Sequence, residues 1–317
     1  MADKPRIFVQ IAAYRDPELV PTLRDCVTRA AHPGRLRFGI CWQRSEDETL
    51  EEFAGDPRVR VYSILWHRSP GLCWARSICQ KLWRKEEYTL QLDAHHRFVE
   101  GWDELLVDMH RQVGGGSAIL TTYAGQYRPG DDETARSPVP TKITADSFRD
   151  YGTIKLVGAF IDNYRALDRP IRARFVSGGF YFTTGLHCVE YHYDPNLYFL
   201  GDELSLSVRS WCLGYDPYHP HRQVLYHYYL REGERRPWYD VDNAPLDAEV
   251  RRWGERERAG LSRLRRLLGM EEPPLDIGCY GLSQRRPLAD YERYAGICFA
   301  ERIISKEAHE GIEPPAP

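Results

Sequence analysis

Apolar residues recur along the chain in two rhythms. Ile7 to Ala13 is a short β-rich run, and after Tyr14-Arg15-Asp16-Pro17 the spacing of Leu19, Leu23, Val27 and Ala30 predicts a helix. Leu36 to Trp42, Val59 to Leu65 and Tyr88 to Leu92 read as further strands, with a helix over Ala75 to Trp83. Strands alternating with helices predict an α/β domain on a mostly parallel sheet. Ala118 to Tyr123 is again β-like, as is Phe175 to Phe182, where Gly178-Gly179 interrupt the run and mark a place a ligand or another backbone can approach closely. Leu204 to Trp211 has helical spacing, and the aromatic segment from Val224 carries His227. Residues 245–270, with Val250, Trp253, Leu261, Leu264 and Leu267 among many arginines, read as an amphipathic helix packed on the main domain. A membrane-surface helix is the rival reading, and the interspersed acids disfavour it. Gln126 to Ala145 is polar and proline-rich, too irregular for core; it reads as a mobile loop beside a binding site or as a surface insertion. The last fifteen residues are polar, end Pro-Pro-Ala-Pro, and read as frayed.

The strand Tyr88 to Leu92 ends in Asp93-Ala94-His95. Side chains alternate faces along a strand, so Asp93 and His95 are expected on one side and the small Ala94 on the other. An acid with an imidazole suits Mn²⁺ or a similar divalent ion, and strand ends of α/β sheets are where such folds place their ligand crevice. The same triplet is common as a surface pair; the buried-strand character of what precedes it favours the site. Asp202 and Glu203 open a helix, where two carboxylates can simply complement its dipole. His227 in an apolar segment can likewise be a satisfied core residue, and becomes a ligand only beside a metal with a vacant position. His187, His192, His219 and His221 lack zinc-site spacing and are assigned no metal. No Gly-x-Gly-x-x-Gly follows the first strand, so a dehydrogenase-type site has no support.

With 317 residues and 42% hydrophobic content, the chain can bury the core of one large α/β domain with an extension. A net charge of −3 supplies no basic field for nucleic acid. Only six of the 43 basic residues are lysine; the arginines offer planar forks suited to phosphate and carboxylate. The N-terminal residues enter a strand without an apolar leader or anchor, which predicts a cytoplasmic protein with no membrane partner. Eight scattered cysteines without a Cys-x-x-Cys read as reduced and structural.

Six ordered segments together resemble the retaining GT-A glycosyltransferases that place N-acetylglucosamine on polypeptide hydroxyls, including the cytoplasmic hydroxyproline (Skp1-type) GlcNAc-transferases. They are Ile7 to Pro17, Gly71-Leu72-Cys73-Trp74-Ala75-Arg76, Leu90 to His95, Phe199-Leu200-Gly201-Asp202-Glu203, Tyr226 to Arg231, and Tyr280-Gly281-Leu282 with Tyr291-Glu292 and Gly296-Ile297. A more distant similarity is to the mucin-type polypeptide GalNAc-transferases. The resemblance implies a Rossmann-like mixed sheet flanked by helices over residues 1–243, a helical extension over 244–300 and a polar tail at 301–317, with 126–175 as an acceptor-side loop region. It implies a metal-dependent retaining transfer of GlcNAc from UDP-GlcNAc to a protein, peptide or small-molecule hydroxyl. By position, Asp93, His95 and His227 become ligands of Mn²⁺ (or Mg²⁺). Ala12, Tyr14, Arg15, Gly71, Arg76 and Asp93 become nucleotide-side residues. Gly178, Gly179, Asp202 and Glu203 line sugar and acceptor, the two acids as the catalytic candidates. Asp202 departs from the family's usual glutamate, and Cys212-Leu213 stand where a Thr-His pair is usual, so the resemblance bears least on the acceptor. A nucleotide-sugar hydrolase, a nucleotidyltransferase or a non-catalytic sugar-binding protein would use the same crevice.

Overall fold

The computed structural model describes residues 4–229 and 253–317. The first half alternates β1 (Ile7–Tyr14), α1 (Leu19–Thr28), β2 (Leu36–Arg44), β3 (Val59–Leu65), α2 (Leu72–Lys81) and β4 (Tyr88–Leu92). These four strands pair in parallel, β4 with β1, β1 with β2 and β2 with β3. β1 is buried along nearly its whole length, because layers cover both of its faces; such strands read as continuous apolar runs rather than alternating ones.

The second half adds β5 (His96–Phe98), α3 (Trp102–Gln112), β6 (Ala118–Thr121), β7 (Gly125–Gln126), β8 (Thr141–Phe148), β9 (Ile154–Phe160), β10 (Ile171–Arg172), β11 (Phe180–Thr184), α4 (His187–Glu190), α5 (Asp202–Cys212), β12 (Asp216–His219) and β13 (Leu225–His227). The main sheet runs β10-β12-β6-β11-β4-β1-β2-β3. It is mixed: β11 lies antiparallel between β4 and β6. One core cluster gathers β1, α1 and α3 around Leu23, Phe38 and Trp102. The other gathers α5 with Leu264 of the helix Trp253–Leu267 and with Tyr291 and Phe299. A small sheet, β5-β13-β7, sets His227 opposite His96. That register brings a histidine from 134 residues beyond Asp93 to the end of β4.

Three expectations change. The irregular stretch ending at Ala145 gives way to an antiparallel β8–β9 hairpin whose Ile143, Ala145 and Ile154 are buried in the second cluster. Its alternation was hidden by a register shift between Ala145 and Ser147, which breaks the period of two. The run from Phe175 becomes a strand only at Phe180. The tail is docked rather than frayed: Lys306–Glu310 is a helix capped by Ser305, Ala308 is buried, and Lys142 Nζ donates to the carbonyls of Glu310 and Gly311 at 3.1 and 2.9 Å. Arg174 binds the Ile312 carbonyl as well. Of the amphipathic helix read over 245–270, Trp253–Leu267 is helical; Val250, the 243/244 boundary, Leu230 and Arg231 lie outside the described residues. All eight cysteines are unpaired, six of them buried. Among the described residues no helix is long and apolar enough to cross a membrane.

Candidate active site at the end of β4

Asp93 follows the last residue of β4, and His95 lies just before β5, so both leave the sheet at its carboxyl edge. Asp93, His95 and His227 each offer one ligand atom, and these atoms all lie within 4.8 Å of one another. The His227 Nε2 is 3.3 Å from Asp93 Oδ2, and the His95 and His227 rings are 4.5 Å apart between centroids. Asp16, in the loop after β1, meets His95 Nδ1 at 2.8 Å. A carboxylate can only accept, so Nδ1 donates, which in the neutral ring leaves the lone pair on Nε2, the outer-shell arrangement that orients an imidazole ligand. Burial works to raise the Asp93 carboxyl, but the bond from His227, with Arg76 and His95 nearby, holds it well below the usual carboxylate range. One carboxylate and two imidazoles with this spacing fit a divalent ion of the Mn²⁺ type.

Arg76 joins this group to the acids of α5. Its Nη2 donates to Asp93 Oδ1 at 3.2 Å and its Nη1 to Asp202 Oδ2. Arg76 is on α2, one turn in from Gly71, and only 4% of its side chain is exposed. Burial acts to lower the guanidinium pKa, but Asp202, Tyr193 and Asp93 together outweigh it, so Arg76 stays charged. Burial pushes the Asp202 and Glu203 carboxyls up, opposed at Asp202 chiefly by Arg76 and at Glu203 by the Tyr123 hydroxyl. Glu203 accepts from Tyr123 Oη at 2.5 Å and from the Gly178 amide at 2.9 Å. Gly178 and Gly179 are needed for space: a Cβ on Gly178 would strike Asp202 and Arg76, and one on Gly179 would lie 2.8 Å from Asp93 Oδ2. The close approach expected from the paired glycines is to these side chains.

A cleft of about 710 Å³ opens over these groups. Ala12, Tyr14, Arg76, Asp93, His95, Gly178, Gly179, Asp202, Glu203 and His227 all line it. Arg15 and Gly71 lie outside that lining. Arg15 Nε donates to Ser45 Oγ at 2.8 Å and its guanidinium lies over the Trp66 ring. Gly71 starts α2 with φ +128°, its Cα face against Tyr198. Asp16, Tyr123 and Glu257 line the cleft and were not singled out in the sequence. Asp16 sits in the Tyr14-Arg15-Asp16-Pro17 loop and could have been suspected; nothing local marks Tyr123 or Glu257.

A family model described as Glycosyltransferase (GlcNAc) matches residues 6–55 and 48–301. The chain belongs to that glycosyltransferase family. Among solved structures, this glycosyltransferase is similar to GalNAc-T7 crystallised with UDP, GalNAc and Mn²⁺, at a TM-score of 0.60 and 18% identity over 92% of this chain and 50% of that one. It is also similar to S. aureus TarS 1–349 in complex with UDP-GlcNAc, at a TM-score of 0.51 and 11% identity over 85% of this chain and 68% of that one. The chain thus spans half the length of the GalNAc-T7 chain. These likenesses carry the fold: a GT-A glycosyltransferase fold, a mixed sheet flanked by helices. No curated protein matches the sequence.

Proposed function

We propose that this glycosyltransferase is a metal-dependent, retaining enzyme that moves GlcNAc from UDP-GlcNAc to a hydroxyl acceptor on a protein, a peptide or a small molecule. The observation that carries the reading is the convergence of Asp93, His95 and His227 at the end of β4, beside Arg76 and beneath one cleft. A bound Mn²⁺ or similar ion would neutralise charge developing on the departing diphosphate. Asp93, with His95 and His227, would hold that ion, and Asp16 would keep the His95 ring aimed at it. Ala12 and Tyr14 at the end of β1 would flank the nucleotide. Arg76, charged and buried, would favour anionic donor groups near Asp93. Asp202 and Glu203 would accept hydrogen bonds from sugar or acceptor hydroxyls; each already has a donor in Arg76 or Tyr123, which suits orientation better than nucleophilic attack. In a retaining transfer the acceptor oxygen bonds to the anomeric carbon on the face UDP leaves, and its proton passes to a phosphate oxygen of the leaving group.

The test is UDP release from a panel of UDP-sugars with and without Mn²⁺, on the native chain, Asp93→Ala and His95→Ala. Metal-dependent release from UDP-GlcNAc that falls by at least about a hundredfold in both variants supports the reading. Equal turnover in native and variant chains refutes the metal group, and release of free sugar unaffected by any acceptor points to a hydrolase.

A further inference from the structure

The helix Trp253–Leu267 lies across the starts of both site helices. Its Gly260 lets it approach the backbone of Asn196–Tyr198, where an added Cβ would meet main-chain atoms at 3.2–3.3 Å. Its Leu264 closes on Gly201, and its Arg256 Nη1 donates to the Ser69 carbonyl at 3.1 Å. Between these contacts Glu257, 6% exposed, turns inward. Its Oε1 accepts from the Leu200 amide at 3.0 Å, and its carboxyl also accepts from the Phe199 amide.

Those two amides immediately precede Gly201, whose φ of +83° turns the chain into α5 and its first two residues, Asp202 and Glu203. The same loop reaches the other helix start, since the Leu72 amide donates to the Tyr198 carbonyl at 2.9 Å. α2 carries Arg76, the partner of Asp202. A neutral acceptor would satisfy two loop amides at less desolvation cost than a buried carboxylate, and Glu257 also lines the cleft.

We propose that Glu257 is a positioning residue for the transfer: by holding the Phe199 and Leu200 amides it sets where Asp202 and Glu203 stand relative to the sugar and the attacking hydroxyl. This rests on the transferase reading above. Misplacement of reacting groups by about 1 Å can cost on the order of a hundredfold in rate, so releasing the loop acts on turnover more than on donor binding.

The experiment measures UDP release from UDP-GlcNAc and Mn²⁺, with water as acceptor, for the full native chain, Glu257→Ala and Glu257→Gln. Titration with UDP and Mn²⁺ gives the binding-competent fraction of each. Glu257→Ala lowers kcat at least tenfold, while KM for UDP-GlcNAc and UDP affinity stay within threefold and the competent fraction stays full. Glu257→Gln, which keeps a carbonyl oxygen for the amides, recovers part of the loss. A native-like kcat in both variants overturns the proposal, as does a kcat loss matched by a loss of competent fraction, which marks a merely structural role. A native chain that neither binds UDP nor releases it refutes the transferase reading and this inference with it; an active native chain with unaffected variants refutes Glu257 alone.

Discussion

Replacing Arg76 with methionine isolates what the buried guanidinium does. The side chains of Arg76 and Asp202 are 4% and 6% exposed and in direct contact, and Arg76 also reaches Asp93. Methionine keeps much of the apolar stem and removes the charge, leaving Asp202 buried without its cation. Breaking a buried pair from one side costs roughly 3–5 kcal/mol, because the surviving charge is neither hydrated nor paired. That is a large share of a total stability of about 5–15 kcal/mol. Replacing Asp202 with asparagine in the same chain removes the orphaned charge, so the double variant regains about 2 kcal/mol or more. The opposing influence of Arg76 on the Asp202 carboxyl is also gone in the single variant, leaving burial to push it higher. Protonation then relieves part of the deficit, which shrinks from pH 7.5 to pH 5.5. Urea unfolding of the native, single and double variants at both pH values measures these differences. A single-variant loss under about 1 kcal/mol, or a double variant no more stable than the single, would falsify the account of a buried charge network.

Two further outcomes follow from the same geometry. Gly179→Ala places a Cβ 2.8 Å from Asp93 Oδ2 while Gly179 itself lies outside the left-handed region, so the carboxylate shifts and the backbone does not strain. Mn²⁺ affinity in the presence of UDP should fall about 10–100-fold by calorimetry with the melting temperature nearly unchanged, and native affinity in this variant would contradict the placement of Asp93. Burial raises the Glu257 carboxyl from its ordinary value of 4.5 to about 7, the Leu200 and Phe199 amides opposing. An acid with a raised folded pKa stabilises the fold fully below its unfolded pKa and loses that contribution as pH rises through the folded one. Native stability should therefore decline between about pH 4.5 and pH 7 relative to Glu257→Gln, by on the order of 3 kcal/mol across the window; parallel melting curves for the two chains from pH 4.5 to 8 would rule the shift out.

Much of this protein was legible in its order of residues, because burial leaves a local signature. β1, β2, β3 and β4 announce themselves as short apolar runs, and Asp93 and His95 stand at the end of one of them, where an α/β sheet opens. Ordered motifs then associated His227, Arg76, Asp202 and Glu203 with that strand end. What periodicity cannot say is which distant segments face each other. The register of β13 on β5 brings His227 to Asp93, and the mixed placement of β11 beside β4 puts Gly179 against it. Asp16 on His95, Tyr123 on Glu203 and Glu257 beneath the start of α5 are likewise contacts across long stretches of chain, made of single polar side chains with no pattern around them. The β8–β9 hairpin escaped because a bulge broke its alternation, and the tail because its anchors, Lys142 and Arg174, lie in segments far away along the chain. Sequence by itself determined which faces are buried, since that is a local transfer of apolar surface from water. Only the tertiary structure decided which charges meet once those faces close, since that depends on strand register and helix docking between residues far apart in the chain.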